Sequence, residues 1–272
     1  MIQNALSKKE IVEILKNNGL ESGMIVEVHC VMPKLGFVIG GAQTIVDALM
    51  EVVGYHGTIL MAMQSSQNTE PTTWKNPAVD CELSAKIREN MPAFHRKESD
   101  AANMGAVAEN FRRREGVVVS SHPSCAFAAW GKYAKFLCNH QSLHFALSEE
   151  SATARLCELK ASVLLMGTDY DSCTCMHLAE YRSDVRPIVM QGAAIEQKGA
   201  RIWKQYLDFA LDSSDFIPVG KLMEKNNLVR IFTMGEGVCR LFEAETAVNA
   251  AERYFKQTHV SRYYQTTKME GE

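Results

Sequence analysis

The chain has 272 residues, 46% hydrophobic and 22% charged, with a formal net charge of −3. That length can bury a core without disulfide or metal staples, and the composition excludes a disordered or fibrous chain. The slight acidic excess argues against a general nucleic-acid partner, and no run approaches the ~18 uncharged apolar residues of a membrane span.

The start, Met1 to Ala5, runs directly into a polar amphipathic segment and carries no export signal. Ser7-Lys8-Lys9-Glu10 has the pattern of a capping box, and Ile11, Ile14 and Leu15 follow at helical spacing until Gly19. Met24 to His29 reads as a buried strand. A glycine-ended loop, Val31 to Gly41, then opens onto a helix from about Ala42 to Val53, and Thr58 to Met63 is the next strand. Strand, loop, helix, strand is a βαβ unit and implies parallel pairing. Gln64 to Pro92 is rich in Ser, Thr, Asn and Pro and reads as a functional loop or lid.

Further along, Met104 to Arg113 is helical in pattern, and Val117 to Ser120 is a short strand running into Ser121-His122-Pro123. A helix over Thr153 to Leu159 precedes a buried strand over Ser162 to Met166 and a loop that enters a helix near His177. Ile188 to Glu196 and Arg201 to Phe209 flank Gln197-Lys198-Gly199 as a hairpin. A helix from about Asp215 to Lys225, a strand from about Leu228 to Thr233 and a helix from about Glu243 to Gln257 complete the order, with a polar tail over residues 258–272. No repeat or clean linker divides the chain, so a single α/β domain over 1–272 is expected. The 8 cysteines read as reduced thiols in a cytoplasmic protein.

Three places could carry chemistry. The glycine loop before the second helix leaves backbone N–H groups free for a phosphate, with Lys34 nearby, although a tight turn would look the same. Ser121-His122-Pro123 places a hydroxyl and an imidazole in extended geometry, which local sequence alone favours reading as a strand end with satisfied polar groups. In the third, Thr174, His177 and Glu180 follow at i, i+3 and i+6, and Asp171 precedes them. A histidine oriented by a carboxylate suits a general base, but a capped helix with one surface histidine fits equally. Cys173-x-Cys175-x-His177 does not have the usual C-x₂₋₄-C zinc spacing and no second ligand pair is evident, so no metal is expected.

Together these segments resemble the aminoglycoside 3-N-acetyltransferase family, acetyl-CoA-dependent enzymes distinct in fold from the GNAT acetyltransferases, over about Ser7 to Phe255. The chain looks like a bacillar member. The resemblance is carried by Val28-His29 with Gly36-Phe37-Val38-Ile39-Gly40-Gly41-Ala42, by Met104-Gly105-Ala106-Val107-Ala108-Glu109, by Ser121-His122-Pro123, by Thr174-x-x-His177-Leu178-Ala179-Glu180, and by Asp215-Phe216 with Val219-Gly220.

What the resemblance implies is an α/β/α sandwich with a central mixed, largely parallel sheet. Acetyl-CoA would bind along His29, Lys34, Gly36, Phe37, Val38, Gly40 and Gly41 and along Ser121, His122 and Pro123. His177 would be the general base, supported by Glu180 or Asp171, with Thr174 or Ser121 as an oxyanion donor. The acceptor would be the 3-amino group of a 2-deoxystreptamine ring, a cationic amine held by Gln64 and by carboxylates among Glu70, Asp169, Asp171, Asp184 and Asp212. Cys30 and Val31 stand where the family usually has hydroxyl residues, and Gln64 to Asn90 matches the family poorly. A metabolite amine as acceptor, or a CoA-binding protein without turnover, are the competing expectations. The sequence leaves the oligomeric state open, a homodimer among the options.

Overall fold

The computed structural model describes residues 4–65 and 67–269, with side chains to Thr258 apart from that of Ala102. After a short strand β1 (Ala5–Leu6), the capping box forms as expected: Ser7 Oγ accepts from the Glu10 N–H, the Glu10 carboxylate accepts from the Ser7 N–H, and α1 (Lys8–Asn17) follows. Next come β2 (Ile25–Cys30), β3 (Phe37–Val38), α2 (Ala42–Val53) and β4 (Thr58–Gln64). The polar segment after β4 is not wholly a loop. Asp80 caps a helix there by accepting from the Leu83 N–H at 2.8 Å, and α3 (Cys81–Asn90) results. Ser66, within that segment, lies outside the described residues.

The chain continues through α4 (Gly105–Arg112), β5 (Val118–Val119), β6 (Cys125–Gly131), α5 (Ala134–Cys138), α6 (Ala152–Glu158), β7 (Ser162–Met166) and α7 (His177–Ser183). It ends with the hairpin β8 (Ile188–Gln197) and β9 (Ala200–Phe209), then α8 (Phe216–Lys225), β10 (Arg230–Met234), β11 (Gly237–Glu243) and α9 (Ala244–Met269). The expected polar tail lies almost wholly beyond the described side chains. Two of these strands carried no sequence signal. β6 is Cys-Ala-Phe-Ala-Ala-Trp-Gly, poor in β-branched residues, and is a strand because both its faces are buried between layers. β11 follows β10 through a tight turn at Gly235-Glu236, which brings Met234 opposite Gly237.

Seven strands form the central sheet in the order β10-β11-β7-β2-β4-β6-β5. Only β7-β2-β4 pair in parallel, and both flanks are antiparallel. The parallel part is therefore confined to the centre, and the sheet is mixed without being largely parallel as expected; short connections join β10 to β11 and β5 to β6, and such connections can join only antiparallel neighbours. Strand alternation splits the core into two layers. Val26, Val28, Ile59, Met61 and Leu164 pack with α1, α2 and α4 through Ile11, Leu15, Ile45, Leu49 and Phe111. Leu60, Ala62, Phe127, Val163 and Leu165 pack with α5 to α9 through Leu137, Leu156, Leu178, Phe216 and Phe255. This is the expected α/β/α sandwich. Among the described residues no helix is long and apolar enough to cross a membrane.

The β8-β9 hairpin stands apart from the central sheet. Asn68 ties it to the segment after β4: its amide donates to the Ala194 carbonyl at 3.0 Å and accepts from the Ala194 N–H at 2.8 Å. In the loop between β7 and α7, Tyr170 lies directly against α8. A Cβ added to Gly220 would fall 2.0 Å from Tyr170 Cδ2. Replacing Gly220 by Ala gains helix propensity but overpacks this contact, so Gly220→Ala is expected to cost about 1–3 kcal/mol. Urea unfolding checks this, and an unchanged midpoint would contradict the contact.

Candidate active site

His177 opens α7 at the end of a tight turn, Thr174–Met176, that leaves the sheet beyond β7. The i, i+3 spacing brings Glu180 under the ring, and the Glu180 carboxylate and His177 Nδ1 form a short hydrogen bond. Glu180 is fully buried, while the His177 side chain keeps 13% exposure. A buried carboxylate needs compensation. Glu180 finds it in the Arg186 guanidinium and in the Asp212 N–H at 3.1 Å. Arg186 in turn donates to Asp215 at 3.0 Å and to the Asp212 carbonyl at 2.8 Å. The Phe216 ring meets the imidazole edge-on at 4.8 Å between centroids. With Nδ1 committed to Glu180, Nε2 is the nitrogen left for chemistry. Asp171 is exposed, so the carboxylate that orients the His177 ring is Glu180.

Two clefts meet above this network. The narrower, about 280 Å³, is lined by His177, Thr174, His29, Asp171, Gln64 and Ser213 among others. The larger, about 650 Å³, is lined by Lys75, Ser124, Gln191, Tyr206, Asp208 and Asp212 among others. Gln64, Asn103 and Met104 line both, so the clefts share a wall. The larger volume is within the ordinary range of small-molecule sites.

The glycine-loop residues sit elsewhere. Gly36 and Phe37 line a third cavity with Glu236, an acidic neighbour. Val38 is buried in the core and has no face for a ligand. Lys34 is exposed. Gly40 and Gly41 stand at the N-terminus of α2, where no side chain caps the free N–H groups and the space beside Gly41 is open.

In the Ser-His-Pro segment, Ser121 is exposed while His122 and Pro123 are buried. The His122 ring is fully occupied within the protein. Nδ1 accepts from the Ser124 and Cys125 N–H groups at 3.2 and 2.9 Å, and Nε2 faces the Leu143 carbonyl at 3.2 Å. Burial pushes its pKa down to about 4. The ring therefore locks the turn into β6 and has no nitrogen left for a cofactor, a correction to the expectation.

The acceptor carboxylates divide similarly. Asp212 and Asp171 face the clefts. Glu70 does not: it is buried, accepts from Thr72 and holds the Arg88 guanidinium. Burial raises its carboxyl, but the hydrogen bonds from Arg88 and Thr72 outweigh this and hold it below the usual range. Asp169 accepts from the Tyr170 N–H and lies 3.6 Å from Arg240. Asp184 ends α7 in an exposed left-handed conformation. Neither lines the two clefts.

The family model described as aminoglycoside 3-N-acetyltransferase matches residues 28–256. The chain belongs to this aminoglycoside 3-N-acetyltransferase family. It is 39% identical over 92% of both chains to the SPbeta prophage-derived aminoglycoside N(3')-acetyltransferase-like protein YokD of Bacillus subtilis. The YokD crystal structure superposes with a TM-score of 0.91, at 38% identity over 94% of this chain and 95% of that one. The aminoglycoside acetyltransferase AAC(3)-Xa superposes with a TM-score of 0.85, at 28% identity over 94% of both chains. AAC-IIIb solved with CoASH shares the fold, with a TM-score of 0.84 at 22% identity over 94% and 98%.

Three features of the acetyltransferase site escaped sequence reasoning. Asp208 lines the larger cleft beside Tyr206, two residues apart on one face of β9. Its carboxylate accepts from Tyr181 Oη at 2.5 Å and from the Phe209 N–H at 2.8 Å, and burial pushes its pKa up. Strand alternation was the available signal. Arg186 lies in a loop and carries no local signal. Glu27, from β2, reaches under the catalytic loop, where the Cys175 N–H donates to it at 3.3 Å.

His122 makes stability depend on pH. Its folded pKa of about 4 is below the ~6.5 of an unfolded imidazole. The stabilisation is thus complete above the unfolded value and is lost as pH falls from there toward 4, up to about 3 kcal/mol. Denaturation midpoints from pH 7 to pH 4 should show a steeper loss for the native chain than for His122→Gln. Identical slopes would exclude a neutral, buried His122.

Proposed function

We propose that this protein transfers the acetyl group of acetyl-CoA to an amino group of a cationic small molecule, the 3-amino group of a 2-deoxystreptamine aminoglycoside, with His177 as general base. The observation that carries this reading is the Glu180–His177 pair, whose imidazole lines the narrower cleft beside the wall it shares with the larger one. An alkylammonium is protonated near neutral pH and attacks only as the free amine. His177 Nε2 takes the proton as nitrogen bonds to the thioester carbonyl carbon, and Glu180 stabilises the imidazolium formed. The tetrahedral oxyanion needs a donor, for which Thr174 is placed in the narrower cleft and Ser121 is not. Collapse breaks the carbon–sulfur bond, and the imidazolium proton goes to the departing thiolate.

In this reading the acetyl end of the cosubstrate enters the narrower cleft past His29, and the uncapped α2 N-terminus at Gly40 and Gly41, with exposed Lys34, takes the phosphates. The CoASH-bound neighbour supports the cosubstrate. The acceptor occupies the larger cleft, where Asp208 and Asp212 meet its ammonium groups. A cysteine nucleophile is not needed, and Cys175 is poorly suited: its hydrogen bond with Cys173 and its burial push its thiol pKa well up. The chain works as one catalytic domain, in a reducing, cytoplasmic setting that suits its cysteines. A metabolite amine bearing an anionic group is the second reading, favoured by Lys75 in the wall of the larger cleft.

Thiol release from acetyl-CoA with a panel of tobramycin, gentamicin and simple polyamines separates the two acceptors. His177→Ala should lower kcat/KM by about 10²–10⁴ while CoA binding and far-UV circular dichroism stay unchanged. Full turnover in His177→Ala would remove the base assignment. Asp212→Asn should raise KM for a polycationic acceptor and leave KM for acetyl-CoA alone; equal KM values would move the acceptor out of the larger cleft.

A further inference from the structure

Beneath the turn that presents Thr174 and His177, three groups meet that acetyl transfer does not use. Glu27, on β2, projects into the same layer as α7 and is fully buried. Its Oε2 accepts from the Cys175 N–H, but Oε1 has no hydrogen-bond partner, although His29 Nε2 stands 3.4 Å away. Cys173 and Cys175 are both fully buried, with their Sγ atoms 3.5 Å apart. One carboxylate oxygen and the two sulfurs all lie within 4.8 Å of one another.

An incompletely paired buried carboxylate beside two thiols is costly. Each of the three can be an anion, and together they repel. The raised thiol pKa of Cys175 expresses this, since Cys173, burial and Glu27 all disfavour the thiolate. A divalent cation between them reverses the balance. Tetrahedral zinc–thiolate coordination, with Zn–S near 2.3 Å, sets a sulfur–sulfur edge of about 3.8 Å, close to the separation seen.

We propose that Glu27, Cys173 and Cys175 form a closed binding site for a thiophilic divalent metal such as Zn²⁺, with His29 Nε2 as the nearest fourth donor. The one-residue gap hid it, because the third ligand comes from a strand 148 residues away. Binding bonds the metal to two sulfurs and one carboxylate oxygen and releases the two thiol protons. His177 is not a ligand; its Nδ1 belongs to Glu180. Glu27, Cys173 and Cys175 are fully buried and His29 would close the fourth position on the side of the narrower cleft, so the metal braces the turn that positions Thr174 and His177 and does not act on the acyl group.

The test uses the full chain, reduced and stripped of metal, titrated with Co²⁺ alone. One equivalent should produce thiolate-to-cobalt charge-transfer absorption, release two protons and be displaced by Zn²⁺. Cys173→Ser and Cys175→Ser should lose the band, and Cys81→Ser, an exposed thiol, should keep it. Glu27→Gln keeps the side-chain shape and should weaken Co²⁺ at least ~10-fold. If the serine variants do not fold, the Glu27→Gln affinity and the native-chain spectrum decide alone. Absence of the band in folded native protein overturns the proposal, whether all 8 thiols titrate as free or two fewer because Cys173 and Cys175 have joined as a disulfide. An unchanged Glu27→Gln affinity removes the carboxylate from the site.

Discussion

The buried Glu180 carboxylate is the constraint on which the rest of the site depends. Fully enclosed, its oxygens need donors around them. One is the His177 imidazole, which fixes that ring with Nε2 toward the cleft. Another is Arg186, which extends the network to Asp215 at the start of α8. The third is the Asp212 N–H, which draws the segment after β9 over the catalytic loop. One carboxylate thus joins α7, the hairpin exit and α8, three elements from separate stretches of chain. The edge of Phe216 and the Arg186–Phe255 stacking give this charged cluster an apolar surround, where its electrostatic interactions are less screened than in water.

The sheet delivers the other half of the site. Its parallel centre, β7-β2-β4, ends where His29, Gln64 and the loop after Met166 come together. Ligands in open α/β sheets commonly bind at such carboxyl ends. The β8-β9 hairpin supplies Tyr206 and Asp208 to the wall of the larger cleft, and Asn68 holds the facing segment to it by two hydrogen bonds. The wall of the larger cleft therefore rests on a hairpin and a long polar segment, while His177 rests on the rigid core. Substitution is easiest on the former, because loops tolerate it better than packed elements.

The mild net acidity of the chain is only partly concentrated in the two clefts. Asp208 and Asp212 line the larger cleft and Asp171 the narrower one, but Glu70 and Asp169 are spent on Arg88 and Arg240. The cysteines likewise divide by environment. Burial pushes Cys30, Cys125 and Cys138 up to about 12; Cys138 packs in the core, while Cys30 and Cys125 line the narrower and the larger cleft. Cys173 and Cys175 lie against Glu27 under the catalytic turn.

By itself the sequence determined the elements with strong local patterns: the capped first helix, the helix after Gly41, the apolar strands of the βαβ unit and the hairpin around Lys198-Gly199. It also offered the His177–Glu180 contact, because i, i+3 contact is a property of one helical turn, but it left Asp171 as an equal candidate until the fold exposed that residue. Tertiary structure alone decided the rest. β6 is a strand through burial on both faces, not through propensity. His122 is a locked structural ring because Leu143 and two backbone N–H groups close on it, and Glu70 leaves the cleft because Arg88 captures it. Arg186, Asp208 and Glu27 join the site from distant segments. Local spacing carries no record of such partners, since long-range contacts are set by how the two core layers close on the sheet.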